Sequence, residues 1–180
     1  MKKVIGVCGS DEDDENLTRY ASKIAENVGK LVAQNRGVII CGGRGGIMRA
    51  VCKGAKEEDG LTIGILPYSK EEANEFVDIG IPTQLGQLRN FIVVNAADAI
   101  IAIGGRWGTL NEISFAMILK KPLILIKETG GCVDDVINGK LLQNIYSQYI
   151  VVDSAETAVE KAFKIIDNDI DCKRRQANCE

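Results

Sequence analysis

The sequence predicts a single-domain α/β protein with a doubly wound, mainly parallel sheet and helices on both of its faces. Short apolar runs, each long enough for one strand, alternate with segments whose apolar residues recur at helical spacing. Strands that are apolar throughout are typical of parallel sheets, which helices cover on both sides. With 180 residues and no internal repeat or linker, the chain has the size of one domain. The predicted fold is therefore Rossmann-like.

The predicted strands are the apolar runs, and glycine or proline follows most of them. In order, they span residues 4–8, 38–41, 61–66, 76–81, 99–103, 123–126 and 149–152. Helices are predicted at about residues 17–35, 47–58, 85–97, 109–120 and 154–166, with a weaker helical signal within residues 127–147. Gly60 caps the second helix, and Ser154 begins the last one. The Rossmann-like domain is expected to span residues 1–168, followed by a polar C-terminal tail at residues 169–180.

The composition excludes several functions. The chain contains no histidine, which excludes Ser-His-Asp and Cys-His catalysis and every zinc site with an imidazole ligand. Its net charge of −3 gives no sign of the basic surface typical of nucleic-acid binding. The longest nearly apolar stretch, residues 91–105, is interrupted by Asn95 and Asp98 and is too short to cross a bilayer. We therefore expect a cytoplasmic protein that binds neither nucleic acid nor membrane.

Neither the cysteines nor the acidic residues indicate a metal site. The six cysteines form no CxxC pair, and we expect reduced thiols. The acidic run at residues 11–15 is interpreted as a solvated surface at the start of a helix. We therefore expect no metal.

Two glycine-rich turns predict where a ligand binds. Residues 42–46 (GGRGG) follow the second strand, residues 104–109 (GGRWGT) follow the fifth, and each turn leads into a helix. Glycine lets the backbone approach a phosphate closely, and a helix N-terminus offers free N–H groups and a positive dipole end. The alternative is that the glycines only form tight turns. Neither turn matches a dinucleotide fingerprint or a P-loop, so a mononucleotide is favoured over dinucleotide cofactors and NTP hydrolysis.

Glu112 and Arg89 are the candidate catalytic residues. Glu112 follows the second turn and is predicted to point into the crevice at the strand ends. The spacing from Thr109 to Glu112 also matches a capping box, in which the glutamate binds the backbone at the helix start. Arg89 begins an apolar helix, where an arginine opposes the helix dipole. The alternative for Arg89 is a solvated surface charge.

These segments together resemble the Lonely Guy superfamily over about residues 3–165. The similarity lies in residues 42–48 (GGRGGIM), Arg89, residues 97–99 and residues 104–112 (GGRWGTLNE). The superfamily includes cytokinin-activating phosphoribohydrolases, proteins once labelled lysine decarboxylases, and molybdenum-cofactor carrier proteins. Lysine decarboxylation itself is not supported, because no arrangement for binding pyridoxal phosphate is evident.

The resemblance implies one enzymatic hypothesis. The hydrolytic members cleave the N-glycosidic bond of a nucleoside 5′-monophosphate, giving base and ribose 5-phosphate, and need no cofactor. Glu112 would stabilise the positive charge that develops on the sugar or orient water, and Arg89 would bind phosphate or assist the departing base. The candidate ligand-binding residues are Gly9, Ser10, Gly42, Gly43, Gly45, Gly46, Met48, Asn90, Gly104, Gly105, Gly108 and Thr109.

Three departures from the hydrolase motif support an alternative. Ile103 stands where hydrolases have proline before the paired glycines, Asn90 replaces the lysine after the arginine, and Gln87 replaces a histidine. Such departures are similar to the branch near the molybdenum-cofactor carriers. The alternative is a non-catalytic protein that binds a nucleotide or molybdopterin on the same turns.

The helices at residues 91–96 and 113–118 predict the quaternary structure. Both are apolar on more than one face, so the sheet or a second subunit must bury them. Members of the superfamily are typically dimers or tetramers. We therefore expect a homodimer or a homotetramer.

Overall fold

The computed structural model describes residues 1–139 and 149–177, with side chains up to residue 172. Its strands form one sheet, and every observed strand pair is parallel. The strands are β1 (Val4–Gly9), β2 (Val38–Cys41), β3 (Leu61–Leu66), β4 (Ile79–Pro82), β5 (Ala99–Ile103), β6 (Leu123–Ile126) and β7 (Ile150–Val152). The helices are α1 (Arg19–Gln34), α2 (Gly46–Lys56), α3 (Arg89–Ala96), α4 (Trp107–Ile118), α5 (Gly131–Ile137) and α6 (Ala155–Ala177), with short 3-10 turns at Lys70–Glu72 and Gly86–Leu88.

The strand order is β4-β3-β2-β1-β5-β6-β7, which confirms the predicted doubly wound sheet. The chain winds outward from β1 to β4 and then crosses back to β5 on the other side of β1. Gly9 at the end of β1 pairs with Ile103 at the end of β5. The two carboxyl ends are therefore level at the point where strand order reverses, which is where ligands bind in such sheets.

Helices cover both faces of the sheet, and this explains why the strands are apolar throughout. Side chains point alternately to opposite faces along a strand. Ile101 and Ile103 accordingly pack in the layer with α1, α2 and α6, whereas Ile100 and Ala102 pack in the layer with α3, α4 and α5. All four side chains are buried. Within the described part of the chain, no helix is long and apolar enough to cross a membrane.

Two elements differ from the sequence prediction. β4 begins at Ile79 rather than residue 76, because the Thr62 hydroxyl donates to the Phe76 carbonyl at 2.6 Å and accepts from the Asp78 amide at 2.9 Å. These bonds hold the preceding residues in a turn. The last helix continues to Ala177 instead of ending near residue 166, because no glycine or proline interrupts it. Most of the predicted polar tail is therefore helical, and residues 178–180 lie outside the described residues.

The remaining predicted segments fall partly outside the described chain. Helix α5 accounts for part of the weak helical signal in residues 127–147, of which residues 140–148 are not described. The thiols of Cys8, Cys41, Cys52 and Cys132 are buried, Cys172 is exposed, and all five are free. Cys179 lies beyond the described residues.

Helices α1 and α2 pack with their backbones in direct contact. A Cβ atom on Gly54 would overlap the carbonyl of Glu26, and one on Gly29 would overlap the carbonyl of Val51. Both obstacles are backbone atoms of a neighbouring helix, which cannot move aside as a flexible side chain can. The packing of this layer therefore requires glycine at both positions.

The variant Gly54→Ala is expected to lower the free energy of unfolding by about 1–3 kcal/mol, the usual effect of overpacking a well-packed contact. Chemical denaturation measures this difference. Lys23→Ala, at an exposed position of α1, is the control and should change stability by less than about 0.5 kcal/mol. Equal stability of Gly54→Ala and the wild type would contradict the packing argument.

Candidate functional site

A cavity of about 160 Å³ lies at the carboxyl ends of β1 and β5, where the strand order reverses. It is bounded by the end of β1, the loop after it, the two glycine-rich turns and the start of α3. Helices α2 and α4 both begin beside it. The lining residues are Val7, Cys8, Gly9, Asp11, Asp13, Gly42, Arg44, Met48, Gln87, Arg89, Asn90, Arg106, Gly108, Thr109 and Glu112.

Ser10 connects the two glycine-rich turns. Its hydroxyl accepts a hydrogen bond from the Gly105 amide at 2.8 Å, and its carbonyl accepts one from the Ile47 amide at 2.8 Å. Gly105 has φ of +91°, and a Cβ atom there would overlap the Thr109 side chain. The loop after β1 therefore fixes the starts of both α2 and α4 around the cavity.

The structure divides the sequence-predicted binding residues into two groups. One group lines the cavity directly: Gly9, Gly42, Met48, Asn90, Gly108 and Thr109. The other group shapes the turns behind it: Ser10, Gly43, Gly45, Gly46, Gly104 and Gly105. Gly46, for example, lies so close to Ser10 that a Cβ atom would overlap the Ser10 carbonyl.

Arg89 is buried beneath the cavity, with only 4% of its surface exposed. Its Nε donates to the Ile65 carbonyl at 3.0 Å, and its Nη1 donates to the Gly86 carbonyl at 3.0 Å. These bonds leave Nη2 next to Gly42. A side chain at position 42 would place its Cβ atom 3.3 Å from this nitrogen. The interpretation of Arg89 as a solvated surface charge is therefore wrong.

Glu112 lines the same cavity and is only 7% exposed. Helix α4 begins at Trp107, with Arg106 at its N-cap and no side-chain capping bond, so Glu112 lies in the second turn. The capping-box interpretation is therefore wrong. Burial raises the pKa of Glu112 to about 8, although the nearby Arg89 guanidinium acts in the opposite direction. Burial of Glu112 therefore favours the neutral form of its carboxyl.

We call the buried residues Arg89, Asn90 and Glu112 the floor of the cavity. The Asn90 side-chain amide donates to the Asn111 side chain at 3.1 Å and to the Gly108 carbonyl at 3.4 Å. Its Oδ1 accepts no hydrogen bond from the described residues, and neither does the Glu112 carboxyl. The floor therefore presents unpaired oxygen atoms to a ligand.

Sequence reasoning missed the charged rim, which consists of Arg44 and Arg106 with Asp11 and Asp13. Arg44 Nη1 lies 3.5 Å from Asp11 Oδ2, and Arg106 contacts the Asp13 carboxylate. Both arginines are more than one-third exposed. The sequence analysis interpreted the acidic run at residues 11–15 as a solvated surface. In the structure, two of its carboxylates instead pair with arginines at the cavity. Its position directly after β1, at the strand-order reversal, was the available signal.

Asp14, the next residue of this run, is buried. Its Oδ1 accepts from the Asn16 amide at 3.0 Å, whereas its Oδ2 is buried without a hydrogen-bond partner in the described structure. Arg106 Nε lies 3.9 Å from that oxygen. Across the described residues, no group of three or more acidic residues or cysteines is placed to hold a metal ion.

The sequence and the structure are both similar to those of known proteins. The model of the SLOG cluster4 family matches residues 2–159. A protein of Archaeoglobus fulgidus is 44% identical over 128 residues, which cover 67% of this chain and 82% of the relative. The structure of the molybdenum cofactor binding protein from Rippkaea orientalis is 36% identical, with a TM-score of 0.81 and coverage of 92% of this chain and 98% of that one. The molybdenum cofactor carrier protein of Chlamydomonas reinhardtii is 29% identical, with a TM-score of 0.76 and coverage of 91% and 98%.

The variant Glu112→Gln is expected to remove one source of pH-dependent stability. The Glu112 pKa is about 8 in the folded protein, against an ordinary value of 4.5. The folded state therefore holds the proton more tightly. The stability that Glu112 contributes is complete below pH 4.5 and is lost as pH rises through 8, by up to about 1.4 kcal/mol per pH unit.

Chemical denaturation of both proteins between pH 5 and pH 9 measures this effect. The wild type should lose stability relative to Glu112→Gln as pH rises. A difference between the two proteins that stays constant with pH would show that Glu112 is not buried as described.

Proposed function

This chain belongs to the SLOG cluster4 family, and we propose that it binds a small phosphate-bearing ligand of the molybdopterin class as a carrier, without hydrolysing it. The observation that carries this proposal is the convergence of two helix N-termini and two arginines on one cavity. The family match and the molybdenum cofactor proteins among the structural relatives confirm the branch that the departures from the hydrolase motif implied.

The rim suits a phosphate group. Arg44 and Arg106 are exposed at the cavity, and the N-termini of α2 and α4 add partial positive charge. A phosphate can replace Asp11 and Asp13 as the partner of these guanidinium groups, because arginine binds phosphate and carboxylate with the same fork of N–H donors. Binding therefore needs no large conformational change, only an exchange of ionic partners.

The state of Glu112 favours a carrier over a hydrolase. To stabilise positive charge on a sugar, the carboxyl must be ionised, and burial works against this by raising the Glu112 pKa to about 8. Arg89 is held by backbone carbonyls, and Asn90 stands where a hydrolase has lysine. The chain also has no histidine to act as a general base.

A molybdopterin ligand fits this donor set as cargo. The cavity offers guanidinium and amide groups to the ligand's phosphate and ring. Cys8 also lines the cavity, but burial raises the pKa of its thiol well above the usual value. The Cys8 sulfur is therefore protonated and is a poor metal ligand. The molybdenum of such a cargo would therefore keep the ligands of the cofactor itself, and Cys8 would not bind it.

Phosphoribohydrolase activity is the second candidate, because Arg89 and Glu112 line the same cavity as that hypothesis requires. The purified protein should be incubated with AMP, GMP, CMP, UMP and IMP, and free base measured by chromatography. Under the carrier proposal no base is released. Base release that disappears in Glu112→Gln would instead establish the hydrolase.

The carrier proposal predicts a bound pterin. The protein should be expressed in a host that makes molybdenum cofactor, and the pterin released on denaturation should be oxidised and measured by fluorescence. The variant Arg106→Gln is expected to carry about tenfold less pterin, because a hydrogen bond to a charged group is lost. Arg49→Gln is the control, since Arg49 pairs with Glu75 away from the cavity. Wild-type protein without pterin would contradict the proposal.

We also propose that the protein is a homodimer or homotetramer. Large apolar side chains are exposed on the paired helices α3 and α4 and just before them: Leu88 is 69% exposed, Trp107 81% and Ile118 70%. Phe91, also exposed, contacts Phe115 edge-on with ring centroids 5.4 Å apart, which joins the apolar surfaces of the two helices. Several large exposed apolar side chains on two paired helices are typical of an interface.

The variant Ile118→Glu is expected to give a monomer, because it places a charge in this apolar surface. Sedimentation at micromolar concentration measures the mass, which should be 19.5 kDa for the monomer and a multiple of that for the wild type. Tyr20→Glu, at an exposed position on the opposite layer, is the control and should leave the oligomer intact. A monomeric wild type would overturn the proposal.

A further inference from the structure

We propose that the ligand enters with its heterocycle first, so that the floor binds the adjacent N–H and NH2 donors of a 2-amino-4-oxopyrimidine edge while the rim binds the phosphate. This edge occurs in pterins and in guanine. The inference rests on the proposed function, since it assumes a phosphate-bearing ligand in this cavity. It adds the orientation of the ligand and the chemical group that Glu112 recognises.

The depth of the residues separates the two ends of the site. Arg89, Asn90 and Glu112 are each less than a tenth exposed. The side chains of Arg44 and Arg106 are 41% and 47% exposed. A ligand with one uncharged flat end and one charged end therefore meets two different environments, and desolvation favours leaving the charged end at the rim.

The floor needs hydrogen-bond donors more than acceptors. The Asn90 amide nitrogen is used by Asn111 and Gly108, so its Oδ1 is left as an acceptor. The Glu112 carboxyl adds two further oxygens that no described residue hydrogen-bonds. A phosphate brings only acceptors and negative charge, which opposes these oxygens. An edge with adjacent N–H and NH2 groups can donate to both oxygens of one carboxylate.

Arg89 supplies the remaining contact. With Nε and Nη1 bonded to backbone carbonyls, its Nη2 is the group left to face the cavity beside Gly42. A ring carbonyl next to the N–H group would accept from it. The positive charge of Arg89 also favours the ionised form of Glu112 once donors approach. The floor thus offers oxygen acceptors for the NH2 and N–H groups of this edge and a guanidinium donor for its carbonyl.

Adenine offers a different edge, in which one NH2 donor stands beside a ring nitrogen acceptor. It can pair with a neutral carboxyl, but it cannot donate to both oxygens of a carboxylate and has no carbonyl for Arg89. Hypoxanthine keeps the N–H and the carbonyl but lacks the NH2 group. The three bases on an identical ribose phosphate therefore separate recognition by the floor from binding at the rim.

The test is isothermal titration calorimetry with GMP, IMP and AMP on the full chain, its Glu112→Gln variant and its Arg106→Gln variant. We expect GMP to bind at least about tenfold more tightly than AMP, with IMP between them, because each donor lost removes a hydrogen bond to a charged group. In Glu112→Gln the affinities for GMP and IMP should converge, while AMP, which has no carbonyl for Arg89, should still bind more weakly. In Arg106→Gln all three should weaken by a similar factor and keep their order.

A pterin without phosphate distinguishes the two ends further. 6-Hydroxymethylpterin should compete with GMP, and its own affinity should be unaffected by Arg106→Gln but reduced by Glu112→Gln. The comparison of GMP with IMP uses the unaltered protein, so it does not depend on the folding of any variant.

Three results would overturn this inference: equal affinities for the three nucleotides, tighter binding of AMP, or a preference for GMP over IMP that survives Glu112→Gln. Each of these leaves phosphate binding intact. Absence of binding by all three nucleotides, together with pterin-free protein after expression, is a failure of the proposed function instead. The two failures are therefore distinguishable.

Discussion

The hydrogen bonds of Ser10 hold the cavity together. Its hydroxyl and its carbonyl bind the turn before α4 and the start of α2, respectively, so one residue after β1 positions both helix N-termini. This arrangement is available only because β5 lies next to β1 in the sheet. The parallel strand order therefore determines which loops meet, and Ser10 determines how closely they meet. The close approaches at Gly46 and Gly105 follow from the same geometry, since a side chain at either position would separate the parts that Ser10 joins.

The fold and the place of the site could be predicted from the sequence, because both follow from local patterns. Strands such as β5 and β6 are buried on both faces, so every residue in them is apolar. The glycine-rich turns directly follow two of these strands. The ends of elements were less predictable. Thr109 resembled an N-cap, but the N-cap is Arg106, three residues earlier, which follows two glycines with positive φ.

The charged rim could not be predicted from local patterns, because its ionic contacts join residues far apart in the chain. Asp13 and Arg106 are neighbours in space only because their loops leave adjacent strands. An acidic run by itself is typical of a solvated surface. Its composition does not indicate that two arginines lie opposite it in the folded protein. The cavity consequently sets three carboxyl groups against three guanidinium groups, which balance except for the charge that burial of Glu112 opposes. Such a balance suits a ligand that carries both an anion and hydrogen-bond donors.

The presence of asparagine rather than lysine at position 90 helps to explain the raised pKa of Glu112. A lysine at this position would place a second cation on the floor and favour the ionised carboxylate that glycosidic hydrolysis requires. Asn90 instead brings a neutral amide whose nitrogen is already used by Asn111 and Gly108. Burial then dominates and raises the pKa of the Glu112 carboxyl to about 8. Under the carrier proposal, the residue at position 90 is therefore a reason why this glutamate would serve recognition rather than catalysis.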